Sequence, residues 1–154
     1  MPNWCMNNLY IENAEKHPGL EKDLIIEGRL SFDALLPQPT EWPKKCSRCV
    51  TGVSGFTEWY EPSDTPLCSY HWNIANWGCK SDASDQAQAV GSSHIFFETP
   101  WGPPEAWFRA LCAKYPTLDV ELRFEEPGMD IRGAMRNQSG VPIYGDWVLQ
   151  WREA

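Results

Sequence analysis

Alternating apolar and polar residues predict strands in several parts of the chain. In residues 4–11 one face carries Cys5, Asn7, Leu9 and Ile11, which indicates a strand buried on at least one side. The same pattern predicts a strand pair over Gln86–Val90 and His94–Thr99. The last third of the chain alternates in three further runs, which are Leu118–Phe124, Met129–Met135 and Ile143–Trp151. Turn residues separate these runs and predict an antiparallel meander.

Apolar residues at helical spacing predict three helices between these strands. The first contains Leu20, Leu24 and Ile25 and ends near Gly28, and the second surrounds Trp72 and ends at Gly78. The third follows Pro103 and Pro104 and ends at Pro116. Its apolar stripe consists of Trp107, Phe108, Leu111, Cys112 and Tyr115. The order of elements predicts an α+β fold, a ferredoxin-like antiparallel sheet with helices on one face.

The length of the chain, 154 residues, predicts a single ferredoxin-like domain over residues 1–154. Residues 40–66 are rich in proline, glycine and serine and show no period. A loop of this length is uncommon in a compact domain unless it has a function. We therefore expect a cysteine-containing insertion over residues 40–69.

Composition and charge narrow the classes of function. The chain is 42% apolar, so it can bury a core, and its net charge of -8 argues against a wide phosphate-binding face. No apolar run reaches the roughly 20 residues of a membrane span, and no basic segment precedes an apolar one at the start. We therefore expect a soluble, cytoplasmic protein without membrane contact. The nine tryptophans favour a role in contact surfaces as well as in the core.

Four residues have the spacing of a metal site. Cys46 and Cys49 are separated by two residues, and Cys68 and His71 follow eighteen residues later with the same separation. Two short turns of this kind present four ligands to one ion, and the spacing matches that of a zinc ribbon. A set of four protein ligands closes the coordination sphere, so the sequence predicts a structural zinc ion that orders the insertion.

The cysteine pattern leaves other interpretations open. The thiols could be unmetallated, or could form a disulfide, although disulfides are rare inside cells. Cys79 is a rival to His71 as the fourth ligand. Cys5 and Cys112 lie on apolar faces and are interpreted as small core residues.

A second group of polar residues follows the second helix. Lys80, Asp82 and Asp85 could form a polar site, or could belong to a helix end and turn in which the aspartates cap backbone groups. Asn7 shares an apolar face and must find hydrogen-bond partners, with the Asn76 region as one candidate. Trp101 could line a groove together with Trp72 and Trp77, or it could cover the core of the sheet. The candidate ligand- or partner-binding residues are Asn7, Trp72, Asn76, Trp77, Lys80, Asp82 and Trp101. The chain has no phosphate-binding glycine loop, nucleophile elbow or HExxH helix, so no catalytic set is assigned.

Several short blocks, in one order along residues 2–133, resemble the YubB-like family. They are Pro2-Asn3-Trp4-Cys5-x-Asn7, Leu36-Pro37-x-Pro39, Tyr70-x-Trp72, Asn76-Trp77-Gly78-x-Lys80-x-Asp82-Ala83-x-Asp85, Thr99-Pro100-Trp101-x-Pro103-Pro104, Tyr115-Pro116-x-Leu118 and Glu126-Pro127-Gly128-Met129. The resemblance implies a ferredoxin-like fold and an origin in phages, plasmids or integrated elements. It implies no agreed activity. The chain departs from the family pattern at Cys46, Cys49 and Cys68 in an expanded loop, and at Cys79 and Ser81.

Three hypotheses follow, in this order. The first is a non-catalytic binding protein that blocks a host protein, a component of a defence system, in the cytoplasm of the host cell. The second is a module or enzyme that binds a small molecule or nucleotide through the Asn76–Asp85 block, with Lys80 facing phosphate. The third is a zinc-assisted nucleic-acid binder using Lys44, Lys45 and Arg48, which the overall acidity makes unlikely. Trp147 and Trp151 could form a homodimer contact or part of the core.

Overall fold

The computed structural model describes residues 3–51, 67–88 and 93–145. The strands are β1 (Trp4–Ile11), β2 (Ile25–Ile26), β3 (Arg29–Leu30), β4 (Ser84–Gln88), β5 (His94–Pro100), β6 (Val120–Glu126), β7 (Ile131–Gln138) and β8 (Val141–Gly145). The helices are α1 (Leu20–Leu24), α2 (Phe32–Leu35), α3 (Ser47–Thr51), α4 (Ser69–Trp77) and α5 (Glu105–Lys114). Short 3-10 turns cover Ala14–Lys16 and Pro127–Met129.

The larger sheet has the strand order β4-β5-β1-β6-β7-β8, and each neighbouring pair is antiparallel. The four strands β4, β5, β1 and β6 form the ferredoxin-like arrangement. In it, α4 connects β1 to β4 and α5 connects β5 to β6, and each connection skips the strand that lies between. The hairpin β7–β8 extends the sheet beyond β6. The predicted ferredoxin-like α+β fold is thereby confirmed.

The core lies on one face of this sheet. Leu9, Phe97 and Leu122 come from three adjacent strands, and all three are completely buried. They pack in one cluster with Phe32 of α2 and with the stripe of α5. Within that stripe, four residues are completely buried: Trp107, Phe108, Leu111 and Cys112. The face predicted from the alternation in residues 4–11 is therefore the core face, and the helices cover it.

The first helix ends earlier than the sequence predicts, and a turn at Gly28 follows it. Ile25 was expected in the first helix, but that helix ends at Leu24, and Ile25 begins the strand β2. Glu27 and Gly28 both have positive φ, which is the conformation of a two-residue hairpin turn between β2 and β3. Gly28 therefore reverses the chain in a hairpin rather than ending a helix.

The hairpin β2–β3 is attached to β4 through a side chain. The Leu30 N–H donates to Oε1 of Gln86 at 2.8 Å, and Nε2 of Gln86 donates to the Leu30 carbonyl at 2.6 Å. The Gln86 amide thus makes both hydrogen bonds that a residue of a neighbouring strand would make. The predicted strand Gln86–Val90 begins two residues earlier, at Ser84.

Some predictions lie outside the described residues. Trp147 and Trp151 do, as do the middle of the insertion and the side chain of Asp85. Within the described ranges, no helix is long and apolar enough to cross a membrane.

Candidate metal centre and neighbouring residues

The four predicted metal ligands come from two short helices that face each other. Cys46 directly precedes α3 and Cys49 lies within it, while Cys68 directly precedes α4 and His71 lies in its first turn. A helix start allows two side chains separated by two residues to point to the same place. The two helices therefore each contribute two ligands, as the spacing predicts.

The ligand atoms of these residues lie within 4.8 Å of one another. Nδ1 of His71 lies 3.2 Å from Sγ of Cys46, 3.4 Å from Sγ of Cys49 and 3.2 Å from Sγ of Cys68. Sγ of Cys49 lies 3.6 Å from Sγ of Cys68. A tetrahedral ion with bonds of about 2.3 Å to sulfur and about 2.1 Å to nitrogen needs separations of about 3.8 Å and 3.6 Å. The cluster is thus compatible with a metal site, and the predicted grouping of the four residues is confirmed.

The electrostatics of the cluster distinguish its thiols. Burial of Cys46 disfavours the thiolate, but hydrogen bonds from the backbone N–H groups of Cys68 and Cys49 outweigh burial and lower its pKa to about 6. Hydrogen bonding to the Cys68 and Cys46 side chains raises the pKa of Cys49 to about 12. These hydrogen bonds therefore favour the thiolate at Cys46 and the protonated thiol at Cys49.

Cys79, the rival ligand, lies outside the cluster. It is buried, and its Sγ donates to the Ser81 carbonyl at 3.3 Å. Burial raises its pKa to about 12. The structure therefore places His71 rather than Cys79 with the other three cysteines. Cys5 and Cys112 are completely buried, as expected of core residues.

Asp82 binds backbone groups of another element. Its Oδ1 accepts from the N–H of Phe32 and from that of Ala83, each at 2.7 Å, and its Oδ2 accepts from the Ser31 hydroxyl at 2.6 Å. Because Phe32 is the first residue of α2, the carboxylate caps that helix from a distant part of the chain. This geometry corresponds to the capping interpretation of the Asn76–Asp85 block.

Two amide side chains of α4 also bind backbone carbonyls in and beside this block. Nδ2 of Asn73 donates to the Lys80 carbonyl at 2.9 Å, and Nδ2 of Asn76 donates to the Trp72 carbonyl at 3.0 Å. The Lys80 residue is exposed. The amides therefore hold the end of α4 in place.

Replacing Asp82 by alanine should lower the free energy of unfolding by about 2–3 kcal/mol, because two backbone donors and one hydroxyl lose a charged acceptor. Urea unfolding measures this change. The control is Asp119→Ala, which removes an exposed carboxylate and should change stability by less than about 0.5 kcal/mol. Equal effects of the two variants would contradict the capping role.

Asn7 holds the turn that presents Trp101. Its Nδ2 donates to Oγ1 of Thr99 at 2.9 Å, and that hydroxyl donates to the Gly102 carbonyl at 2.6 Å. Asn7 and Thr99 are completely buried, whereas Trp101 is exposed. The expectation that Asn7 contacts the Asn76 region is wrong, because its amide contacts its own strand and β5.

The three tryptophans of the predicted groove have different surroundings. Trp77 is buried, and its Nε1 donates to the Leu36 carbonyl at 3.0 Å. Trp72 lies between Trp77 and Trp42, with ring centroids 5.6 Å and 6.3 Å away. Among the described residues no ring contact joins Trp101 to this row. Trp72 and Trp77 thus continue the core toward the metal cluster, and Trp101 stands apart.

A row of stacked groups that no sequence pattern predicts lies on the outer face of the sheet. The rings of Tyr10 and His94 stack with centroids 4.4 Å apart, and the Arg123 guanidinium lies 4.1 Å from the Tyr10 centroid. Glu121 accepts from Arg123 and Arg136 beside a cavity of about 210 Å³. Partial burial and the charge of Arg123 lower the pKa of His94. The alternation of residues 4–11 places Tyr10 on this face, but only the strand register brings His94 beside it.

Fold and site together define an α+β protein with a ferredoxin-like sheet and a Cys3His cluster at the start of α4 and in the connection before it. Residues 76–146 match the sequence model of a family described as "Ferredoxin-like domain in Api92-like protein". All four cluster residues precede the matched segment.

A solved structure is also similar. The crystal structure of the protein api92 from Yersinia pseudotuberculosis superimposes with a TM-score of 0.54 at 10% sequence identity, over 95% of this chain and 98% of that one. At this identity the likeness shows the fold alone. No protein with a curated description matches the chain.

Proposed function

We propose that the Cys46, Cys49, Cys68 and His71 cluster binds a structural zinc ion. The donor set of three sulfurs and one imidazole nitrogen is one that zinc prefers, and the separations fit a tetrahedron. Four protein ligands close the coordination sphere and leave no position for water, which favours a structural over a catalytic ion. The ion would fix α3 and the segment before it against the start of α4.

We infer further that the chain is a non-catalytic binding protein from a phage or another mobile element, and that it blocks a host protein of a defence system in the cytoplasm. The observation that carries this proposal is the exposure of large aromatic side chains. Trp4, Trp42 and Trp101 are 38%, 38% and 49% exposed. Tryptophan is enriched among the residues that contribute most of the binding energy at protein interfaces.

The surroundings of the polar candidates favour binding over catalysis. Asn7, Asn76 and Asp82 use their polar atoms to hold backbone segments of the same chain. The net charge of -8 would steer the chain toward a basic surface, such as the nucleic-acid channel of a defence protein.

Plaque assays test this function in cells that carry one cloned defence system at a time. Expression of the chain should restore phage growth at least about tenfold against one system and should have no effect in cells without a system. The purified chain should then titrate a component of that system at one chain per partner in calorimetry, with the partner's mass unchanged, because a binder acts stoichiometrically. Absence of any protected phage and of any saturable complex would overturn the proposal, and a changed partner mass would indicate an enzyme.

A further inference from the structure

Three large apolar side chains are exposed at one end of the sheet, and we call them the sheet-end patch. They are Trp4 (38% exposed), Trp101 (49%) and Met129 (55%). Their segments meet at Asn3, whose carbonyl accepts from the Trp101 N–H at 2.7 Å. The Asn3 side chain packs against Gly128, since a Cβ at Gly128 would lie 2.8 Å from its Nδ2. The patch therefore combines the start of β1, the end of β5 and the connection from β6 to β7.

The backbone at Trp101 is held in a conformation that a bulky residue rarely adopts. Its φ is +72°, in the left-handed region. The buried pair Asn7 and Thr99 fixes this turn through the hydrogen bond from Thr99 to Gly102. Such strain persists only where the surrounding structure imposes it, and it is concentrated at binding sites and switches. Here it keeps a large indole at the surface.

Carboxylates surround the sheet-end patch. Met6 follows Trp4 on the same face of β1, and it lies between Glu98 of β5 and Glu125 of β6. Asp130, the residue after Met129, is exposed. Arg132 lies opposite Glu125 in the sheet. Glu126 is buried, and its Oε1 accepts from the Gly128 N–H at 3.0 Å. Its Oε2 has no hydrogen-bond partner within the described part of the chain. The patch is thus apolar with a negative border.

We propose that the sheet-end patch is the docking surface for a basic segment of a protein partner, in which arginine or lysine alternates with aliphatic residues. This inference rests on the proposed function in that the partner is a protein. An arginine over an indole face is attracted by the ring, and the bordering carboxylates pair with neighbouring cations. The same carboxylates repel phosphates, so a nucleic acid fits this surface poorly.

A peptide titration followed by NMR tests the surface. The probe is a twelve-residue peptide of alternating arginine and leucine, and the control probe has glutamate in place of arginine. The arginine peptide should shift the indole N–H signals of Trp4 and Trp101 saturably, and the glutamate peptide should not. Trp101→Ala should weaken binding about tenfold or more. The control Trp42→Ala removes an indole that is 38% exposed and lies beside Trp72, and it should change binding less than twofold. Equal effects of the two variants would overturn the proposal, as would an oligonucleotide that displaces the peptide from these indoles.

Two further variants test the positioning and the charge without removing an indole. Thr99→Val deletes the hydroxyl that holds the Trp101 turn and should weaken binding several-fold, and Thr99→Ser, which keeps it, should restore binding. Asp130→Asn removes a negative charge but keeps a residue type that tolerates the positive φ at this position. It should weaken binding of the arginine peptide and make that binding less dependent on salt. Unchanged binding in both Thr99→Val and Asp130→Asn would overturn the proposal.

The experiments distinguish an error in the docking-surface proposal from an error in the proposed function. If Trp101→Ala still restores phage growth and binds the defence component as the unmodified chain does, the docking surface is wrong and the proposed function stands. If the arginine peptide binds the patch as described but no defence system is affected, the surface is supported and the proposed function is wrong.

Discussion

Removing the proposed zinc ion should lower the melting temperature of this protein by about 10 °C. An ion that binds only the folded chain stabilises it by about 4 kcal/mol when its concentration is a thousand times the dissociation constant. In a domain of this size, 1 kcal/mol corresponds to roughly 2–4 °C. The ligands of the proposed ion come from α3, α4 and the residues directly before them, and α4 also contributes Trp77 to the core. Loss of the metal should therefore weaken the whole fold, and calorimetry with and without a chelator measures the shift.

Metal content separates the two candidates for the fourth ligand. Native mass spectrometry of protein purified without chelator should show one zinc ion per chain, and Cys46→Ser or His71→Ala should abolish it. Cys79→Ala is the matched control, and it should keep one zinc ion although it opens a space in the core. The zinc proposal would be contradicted if the purified chain held no metal, or if its melting temperature were the same with and without chelator.

Gly78→Ala should lower the free energy of unfolding by about 3 kcal/mol. Gly78 ends α4 with a φ of +90°, where a side chain costs about 1–2 kcal/mol. A Cβ there would also lie 2.8 Å from the backbone nitrogen of Glu105, at the start of α5. Overpacking of this kind costs about 1–3 kcal/mol more, because backbone cannot rotate away as a side chain can.

Alanine substitutions at two other glycines distinguish the backbone cost from the overpacking cost, and urea unfolding measures all three variants. Gly28→Ala has a similar φ of +78° but open space around the new Cβ, so about 1 kcal/mol is expected from the backbone alone. Gly102→Ala has open space and an ordinary φ, and it should change stability by less than about 0.5 kcal/mol. If Gly78→Ala is no more harmful than Gly28→Ala, the contact between α4 and α5 does not limit their packing.

Local patterns predicted much of this structure, and distant contacts set the remainder. The metal ligands were found because two residues of spacing decide which side chains meet, and the strands because alternation reports a buried face. The partners of Asn7 and Asp82 lie 92 and 50 residues away in the chain, so no local pattern indicates them. The strain at Trp101 is equally hidden, because it depends on how β5 meets the start of β1.

The side-chain link between Gln86 and Leu30 has a consequence for solubility. β4 lies at one end of the strand order, where unpaired backbone groups can join the strand of another molecule. Because the Gln86 amide binds the backbone of Leu30, the hairpin β2–β3 lies against this border of the sheet. The chain thus covers its own open edge with a segment too short to extend the sheet, and this discourages the stacking of copies into fibres.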